Sequence, residues 1–127
     1  MLIDIDPADA RPVYRQIADE VERCIAVGML RQDEALPAVR ELAAQLKVNA
    51  NTVQHAYRTL ERDGVVHVKR GLGTFVSAPP RDNNKARQNA LARQLAERML
   101  REGFRHGLLA SDLIAALQQI APKRGSG

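Results

Sequence analysis

The stretch from Leu36 to Val76 constrains the fold of this chain more than any other part of its sequence. It reads LPAVRELAAQLKVNANTVQHAYRTLERDGVVHVKRGLGTFV. Apolar residues recur in it at intervals of three and four, which is typical of helices with one buried face. This spacing predicts a short helix over Arg40–Leu46 and a longer helix over Ala50–Asp63. The residues between them, Lys47–Asn49, match the turn of a helix-turn-helix in length.

The longer helix is predicted to have two chemically different sides. One side is apolar and consists of Val53, Ala56, Tyr57 and Leu60. The other side combines donors, acceptors and fixed positive charges, which can bond base edges in a DNA major groove and pair with phosphates. The residues predicted to contact DNA from this helix and the turn before it are Asn49, Asn51, Thr52, Gln54, His55 and Arg58.

Two simpler explanations exist for these polar residues. Asn49 precedes a helix, where asparagine commonly caps a backbone N–H without any DNA. A polar helix side is also, in most proteins, only a solvated surface. The DNA interpretation is favoured by the order of the parts, because the two helices and their turn are followed by a predicted strand pair. Whether Asn49 is a plain cap or a DNA contact stays open at this point.

The residues after the longer helix predict a two-stranded wing. Gly64 suits the left-handed conformation that often ends a helix. Valines at 65, 66 and 68 and the Phe75–Val76 pair are typical of strands, and the glycines of Arg70–Gly73 suit a hairpin turn. Three residues at its tip are predicted to reach a neighbouring minor groove or its phosphates. They are Lys69, Arg70 and Gly71.

These residues resemble the winged helix-turn-helix of GntR-type bacterial transcription regulators. The similarity includes the leucine-proline, arginine-glutamate-leucine-alanine, threonine-valine, alanine-tyrosine and glycine-x-glycine elements, and an aromatic-valine pair. The upstream PVYRQI is similar to the YtrA-like branch of that family, so the resemblance covers residues 12–76. It implies that Arg40 contacts DNA. The chain departs from the family pattern at Ala38, where serine is usual, and at Asp33, where glycine is usual.

A further helix is predicted before this stretch, from about Pro12 to Val27, with Gly28 as its stop. Its inner stripe consists of Val13, Ile17, Val21, Cys24 and Ile25. This helix would complete a three-helix core in which the thiol of Cys24 is buried. The preceding LIDI segment is interpreted either as a third strand on the wing or as a frayed terminus.

Downstream, the polar and proline-containing residues 79–84 predict a linker, which separates a winged domain of residues 1–78 from a two-helix segment of residues 85–121. The first helix is predicted to run from Lys85 to about Glu102, with Gly103 and Gly107 at its end. Ser111 is the predicted cap of the last helix, and residues 122–127 are a predicted disordered tail. The apolar positions chosen as a dimerisation seam are Leu91, Leu95, Met99, Leu113 and Leu117.

Two amphipathic helices joined by a turn bury little apolar surface by themselves. They can pack back on the winged domain or pair with the same segment of a second copy. We favour the second copy, because two-fold dimers are the commonest assemblies. The YtrA-like resemblance also implies a short helical dimerisation segment here, without the large effector-binding or aminotransferase-like domains of other branches.

Charge and chemistry support a binding protein. The net charge is +4, and the excess lies after Leu36: residues 37–76 hold six basic and three acidic side chains, and residues 77–127 hold nine and four. Such an excess is consistent with a polyanionic partner. The three histidines lie far apart, there is a single cysteine, and no spacing matches a metal or catalytic motif. We therefore expect no cofactor, no metal and no enzymatic activity.

The sequence thus predicts a mainly α fold with a small β-wing, in which a winged helix-turn-helix is followed by a short helical hairpin. The predicted function is a homodimeric, sequence-specific transcription regulator that binds double-stranded DNA at an inverted repeat, as a repressor. Two alternatives are a winged-helix adaptor for protein partners and the amino-terminal part of a longer aminotransferase-like regulator. A small-molecule effector stays unknown. The absence of a signal peptide or apolar span predicts a cytoplasmic location without membrane partners.

Overall fold

Amphipathic periodicity accounts for most of the secondary structure in this chain. The computed structural model describes residues 3–79 and 84–121, which form two compact units that meet in sequence after Pro79. The elements are α1 (Val13–Ala26), α2 (Val39–Leu46), α3 (Ala50–Arg62), β1 (Val66–Lys69), β2 (Gly73–Val76), α4 (Lys85–Arg105) and α5 (Ala110–Ile120). The predicted fold class, mainly α with a small β-wing, is confirmed. Most of the predicted linker and the whole predicted tail lie outside the described residues.

The core of the first unit combines the apolar sides of its three helices and the inner side of its sheet. Its fully buried side chains include Ile17, Val21, Cys24, Leu42, Val53, Leu60, Val66 and Val76. Burial of one such aliphatic side chain stabilises a fold by roughly 1.5 to 3 kcal/mol. Cys24 is buried as predicted, and its removal from water raises the pKa of the thiol. None of the helices within the described ranges is long and apolar enough to cross a bilayer.

Ile3, Asp4 and Ile5, the described part of LIDI, do not form a third strand on the wing, so this alternative was wrong for them. The loop before α2 occupies the position instead, with an antiparallel bridge between Ala35 and Phe75. The Asp33 N–H donates to the Val76 oxygen over 2.8 Å, and the Val76 N–H donates to the Glu34 oxygen over 2.9 Å. The wing is therefore joined by backbone hydrogen bonds to the segment that leads into α2.

A buried glutamine binds the backbone directly after the LIDI segment. The Gln16 side chain accepts from the Asp6 N–H over 2.9 Å and donates to the Asp6 oxygen over 3.1 Å. Both backbone groups that a strand would use at Asp6 are thereby bound to α1. Ile3 nevertheless reaches the core and is only 8% exposed, so the described residues from Ile3 to Asp6 are neither a strand nor frayed.

The second unit is a pair of helices that meet at a glycine. Gly103 is buried, and a side-chain carbon built there would lie 2.8 Å from Leu113 Cδ1. The missing side chain lets α5 approach α4 at this position. The helix continues to Arg105, three residues beyond the predicted Glu102, so its end lies between Gly103 and Gly107 as predicted. The left-handed Gly107, with φ of +81°, follows the helix end.

The start of α5 also differs from the prediction. Leu109 is the residue before the helix, and its N–H donates to the Asp112 carboxylate over 2.8 Å. Ser111 lies inside the first turn rather than at the cap. A carboxylate three residues after the cap can reach back to the cap's own N–H, and this contact starts α5 earlier than the serine indicated.

The first prediction concerns an ion cluster beside α1. Arg11 contacts both Asp9 and Asp19 over 2.6 Å, and its hydrogen bonds lower the pKa of Asp9 from 3.8 to about 2. Since the folded state favours the ionised Asp9, this contribution to stability is complete above pH 3.8 and is lost as the pH falls through about 2.

Replacing Arg11 with Gln should return the pKa of Asp9 toward 3.8. The check is a carbon-13 NMR titration of the Asp9 carboxyl in the wild type, in Arg11→Gln and in a matched Arg15→Gln control. An unchanged Asp9 midpoint in Arg11→Gln would show that Arg11 is not its cause.

Candidate nucleic-acid interface

The buried side of α3 determines which of its residues face outward. Val53, Ala56 and Leu60 are fully buried, and Tyr57 is 4% exposed. The residues predicted to contact DNA lie elsewhere around the helix. Asn51, His55 and Arg58 are exposed, and Thr52 and Gln54 are half-buried. All five side chains thus belong to α3, where three lie on its solvent-facing side and two lie at the edge of its buried side.

The turn between α2 and α3 ends in a side-chain cap. Lys47 adopts a left-handed conformation with φ of +57°, and the Val48 N–H donates to the Ala43 oxygen over 3.0 Å. The Asn49 Oδ1 accepts from the Asn51 N–H over 2.8 Å. The capping role that the sequence left open for Asn49 is therefore present, and its side chain is also exposed.

Tyr57 joins α3 to the entry of α2. Its hydroxyl donates to the Pro37 oxygen over 2.7 Å, and burial raises the pKa of this phenol. Pro37 comes two residues before α2, so this bond holds the start of that helix against α3. Arg40, the second residue of α2, is exposed.

His55 is held in a way that the sequence did not reveal. Its ring stacks on the Tyr14 ring of α1, with centroids 3.8 Å apart and planes inclined by 16°. One face of the imidazole is therefore covered. Tyr14 is half-buried, packs against the core and supports a residue of α3. No local pattern relates these positions, because they belong to different helices.

Two arginines of this unit keep an unpaired charge. Among the described residues, neither Arg40 nor Arg58 has an ion pair. Both side chains belong to exposed residues. A guanidinium in this state can bind a phosphate or the edge of a guanine without first giving up a carboxylate.

The wing begins directly after α3. Gly64 is left-handed with φ of +77°, and the Val65 N–H donates to the Leu60 oxygen over 2.9 Å. The strands pair from Val66 with Val76 to Lys69 with Gly73. The tip contains the exposed Arg70 and Gly71, and Gly71 has φ of +79°. The predicted wing residues are thus on a hairpin that is attached to α3 by backbone hydrogen bonds.

One side chain at the wing tip has an aromatic contact. The Lys69 Nζ lies 4.6 Å from the centroid of the Phe75 ring. This contact was not predicted, although strand alternation could have placed the two residues on one side of the hairpin. In the part of the chain that the structure describes, no group of three or more His, Cys, Asp or Glu side chains could hold a metal ion.

Three helices, a wing, and a polar side on the second helix of a helix-turn-helix together define a winged-helix DNA-binding protein. The comparison with family models agrees with this class. Residues 13–76 match the family described as bacterial regulatory proteins, gntR family. The chain therefore belongs to the GntR family of transcription regulators. Within that family it is similar to the YtrA-like branch.

Two curated relatives come from Bacillus subtilis (strain 168). The transcriptional repressor YtrA is 41% identical over 60% of this chain, and the match spans 58% of its own length. The transcriptional regulator YhcF, which is uncharacterized, is 32% identical over 86% of this chain and 89% of its own length. The chain thus matches less than two thirds of YtrA but most of YhcF.

Two solved structures support the same fold. YtrA from Sulfolobus acidocaldarius, a GntR-family transcription factor, is 34% identical with a TM-score of 0.60, over 76% of this chain and 99% of that chain. The DNA-binding domain of AraR in complex with operator ORX1 is 29% identical, with a TM-score of 0.53. The match covers 58% of this chain and 92% of that chain.

The second prediction tests the bond that joins α3 to the entry of α2. Tyr57→Phe removes the hydroxyl that donates to Pro37 and should lower the free energy of unfolding by about 1 kcal/mol. Tyr14→Phe is the matched control, because it also removes one hydroxyl but keeps the ring that stacks on His55. Urea unfolding of both variants gives the comparison. Equal stability losses would mean that the Tyr57 bond has no special role.

Proposed function

We propose that this GntR-family regulator is a homodimeric repressor that binds an inverted-repeat operator. The observation that carries the proposal is the arrangement of α3, whose buried side lies against the core while its polar residues and the basic wing tip remain accessible. A helix of this kind can enter a major groove, and a wing beside it can contact the flanking backbone.

The proposed contacts divide into four groups. Asn51 and Gln54 are assigned to base edges, since amides can both donate and accept hydrogen bonds there. Arg40 is assigned to a guanine edge or a phosphate at the start of α2. The remaining contacts from α3 and its turn are assigned to the backbone or the rim of the groove, and they comprise Asn49, Thr52, His55 and Arg58. The wing contributes Lys69, Arg70 and Gly71 to the flanking backbone or minor groove.

The relatives support this assignment by analogy. AraR's DNA-binding domain, which shares the fold, was solved on an operator, and YtrA of Bacillus subtilis is described as a repressor. A repressor acts by occupying its operator, and the DNA-binding unit and the helical pair are parts suited to that task. We also propose that residues 1–78 are the DNA-binding domain and that residues 79–84 link it to the helical pair.

The helical pair is the proposed dimerisation segment. Within it, Leu91, Leu95 and Leu117 remain 51%, 49% and 42% exposed, and Phe104 is 72% exposed. Met99 and Leu113 are half-buried, where α4 and α5 approach each other. Apolar surface of this extent is unusual on a monomer and favours a partner. A second copy supplies an identical apolar surface, so a two-fold pair would cover both.

The third prediction separates base reading from backbone binding. Gln54→Ala should remove the preference for one or two base pairs of the operator, while leaving affinity for scrambled duplexes unchanged. Arg70→Ala should weaken binding to all sequences and reduce the slope of log affinity against log salt by about 0.9, the value of one phosphate contact. Arg70→Lys is the control, since it keeps the charge and should keep the slope.

Fluorescence anisotropy with specific and scrambled duplexes at several salt concentrations measures both effects. If Gln54→Ala weakened the two duplexes equally, Gln54 would belong to the backbone contacts. If the slope did not change in Arg70→Ala, the wing tip would lie away from the DNA.

The fourth prediction tests the dimerisation segment. Leu95→Glu places a carboxylate in the proposed seam and should convert the dimer to a monomer, because an unpaired charge is costly to bury. Gln94→Glu is the matched control, since the neighbouring exposed residue adds the same charge on another side of α4. Analytical ultracentrifugation should show dimers for the wild type and Gln94→Glu, and monomers for Leu95→Glu.

The same variants connect assembly with operator binding. A monomeric Leu95→Glu should lose most affinity for a two-site operator but keep its affinity for a single half-site, since the second site is no longer bound within one complex. A dimeric Leu95→Glu with full operator affinity would contradict the proposed seam. The helical pair would then have another partner, with the winged unit as the first alternative.

A further inference from the structure

The outer side of the wing carries a row of four side chains. Residues that face each other across two antiparallel strands point to the same side of the sheet. His67 is opposite Phe75, and Lys69 is opposite Gly73. The Phe75 ring contacts both neighbours. Its centroid is 6.1 Å from that of the His67 ring and 4.6 Å from the Lys69 Nζ. At the other end, the His67 Nδ1 is 2.9 Å from the Ser77 Oγ.

Gly73 leaves room for Lys69 to contact the Phe75 ring. A side-chain carbon at this glycine would touch the Phe75 ring, at 3.9 Å from Cε1. The strand partner of Lys69 therefore leaves that part of the ring uncovered. The lysine stem can then cross diagonally to the ring, which a bulkier side chain at position 73 would oppose.

An aromatic partner orders a lysine without neutralising it. A free lysine samples many rotamers. Binding a phosphate restricts the side chain to a few of them, which costs conformational entropy. A carboxylate would restrict the side chain, but it would also compete with the phosphate for the charge. Attraction to the face of a ring restricts the ammonium while its charge and most of its donors stay available. Among the described residues, Lys69 has no ion pair.

We propose that Phe75 is a positioning residue for DNA binding, which holds the Lys69 ammonium over its ring in an orientation ready for a backbone phosphate. The inference rests on the proposed function, because it requires the wing to contact DNA. It assigns to the Phe75 side chain a role beyond the backbone bridge of this residue to Ala35. The role belongs to the ring, so tyrosine should preserve it and leucine should not.

The test is a double-mutant cycle on DNA affinity. Phe75→Leu should weaken binding to specific and scrambled duplexes alike by about two- to fivefold, the range expected for one exposed cation–π contact. Phe75→Tyr should bind like the wild type. In a Lys69→Ala background, Phe75→Leu should cause no further loss. An equal loss in both backgrounds would overturn the inference, because Phe75 would then act through the fold of the wing.

A measurement without DNA tests the contact itself, including the case in which Phe75→Leu does not fold. The ε-methylene protons of Lys69 should resonate upfield of an ordinary lysine in the wild-type protein, because they lie over the ring. They should stay upfield in Phe75→Tyr and return to the ordinary position in Phe75→Leu. An ordinary shift in the wild type would overturn the inference.

The two readouts also separate this inference from the proposed function. If Lys69→Ala left DNA affinity unchanged while the upfield shift persisted in the wild type, the contact would exist but the wing contact proposed for Lys69 would fail, and the positioning role with it. If Lys69→Ala weakened binding and Phe75→Leu did so independently, only the role of Phe75 would fail.

Discussion

The packing of α3 on the core is the constraint on which the rest of the winged unit depends. Val53, Ala56 and Leu60 are fully buried together with Ile17 and Val21 of α1. Burying such side chains is worth roughly 1.5 to 3 kcal/mol each, whereas exposed ion pairs contribute at most about 1 kcal/mol. The polar side of α3 is therefore oriented by the apolar side, and surface substitutions can alter binding without rotating the helix.

Backbone hydrogen bonds attach the other parts of the surface to this helix. The wing continues from α3 through Val65 and is also paired with the segment at Ala35 that leads into α2. The Tyr57 hydroxyl joins α3 to the residues before α2 by donating to the Pro37 oxygen. The start of α2, the outer side of α3 and the wing are thus three regions of one continuous hydrogen-bonded structure.

Local sequence patterns were sufficient for the helices, the turn and the hairpin, because periodicity and glycine positions act over a few residues. They placed α2, α3 and the wing correctly, and they predicted the buried Cys24. Contacts between distant residues were not accessible in this way. Gln16 redirects the first residues, Tyr14 covers His55, and Leu113 requires the glycine inside α4. Each depends on which elements meet in space, and a single sequence does not contain that information explicitly.

The cap at the start of α3 has a consequence for how such a regulator can change its operator in evolution. The Asn49 oxygen is committed to the Asn51 N–H, so most replacements there would weaken the helix at the same time as they altered the DNA contact that we propose for this residue. The side chains of Gln54 and Arg58 make no hydrogen bond to other described residues. Substitutions at these two positions can therefore change the outer side of α3 at little cost in stability, while Asn49 is held in place by the fold itself.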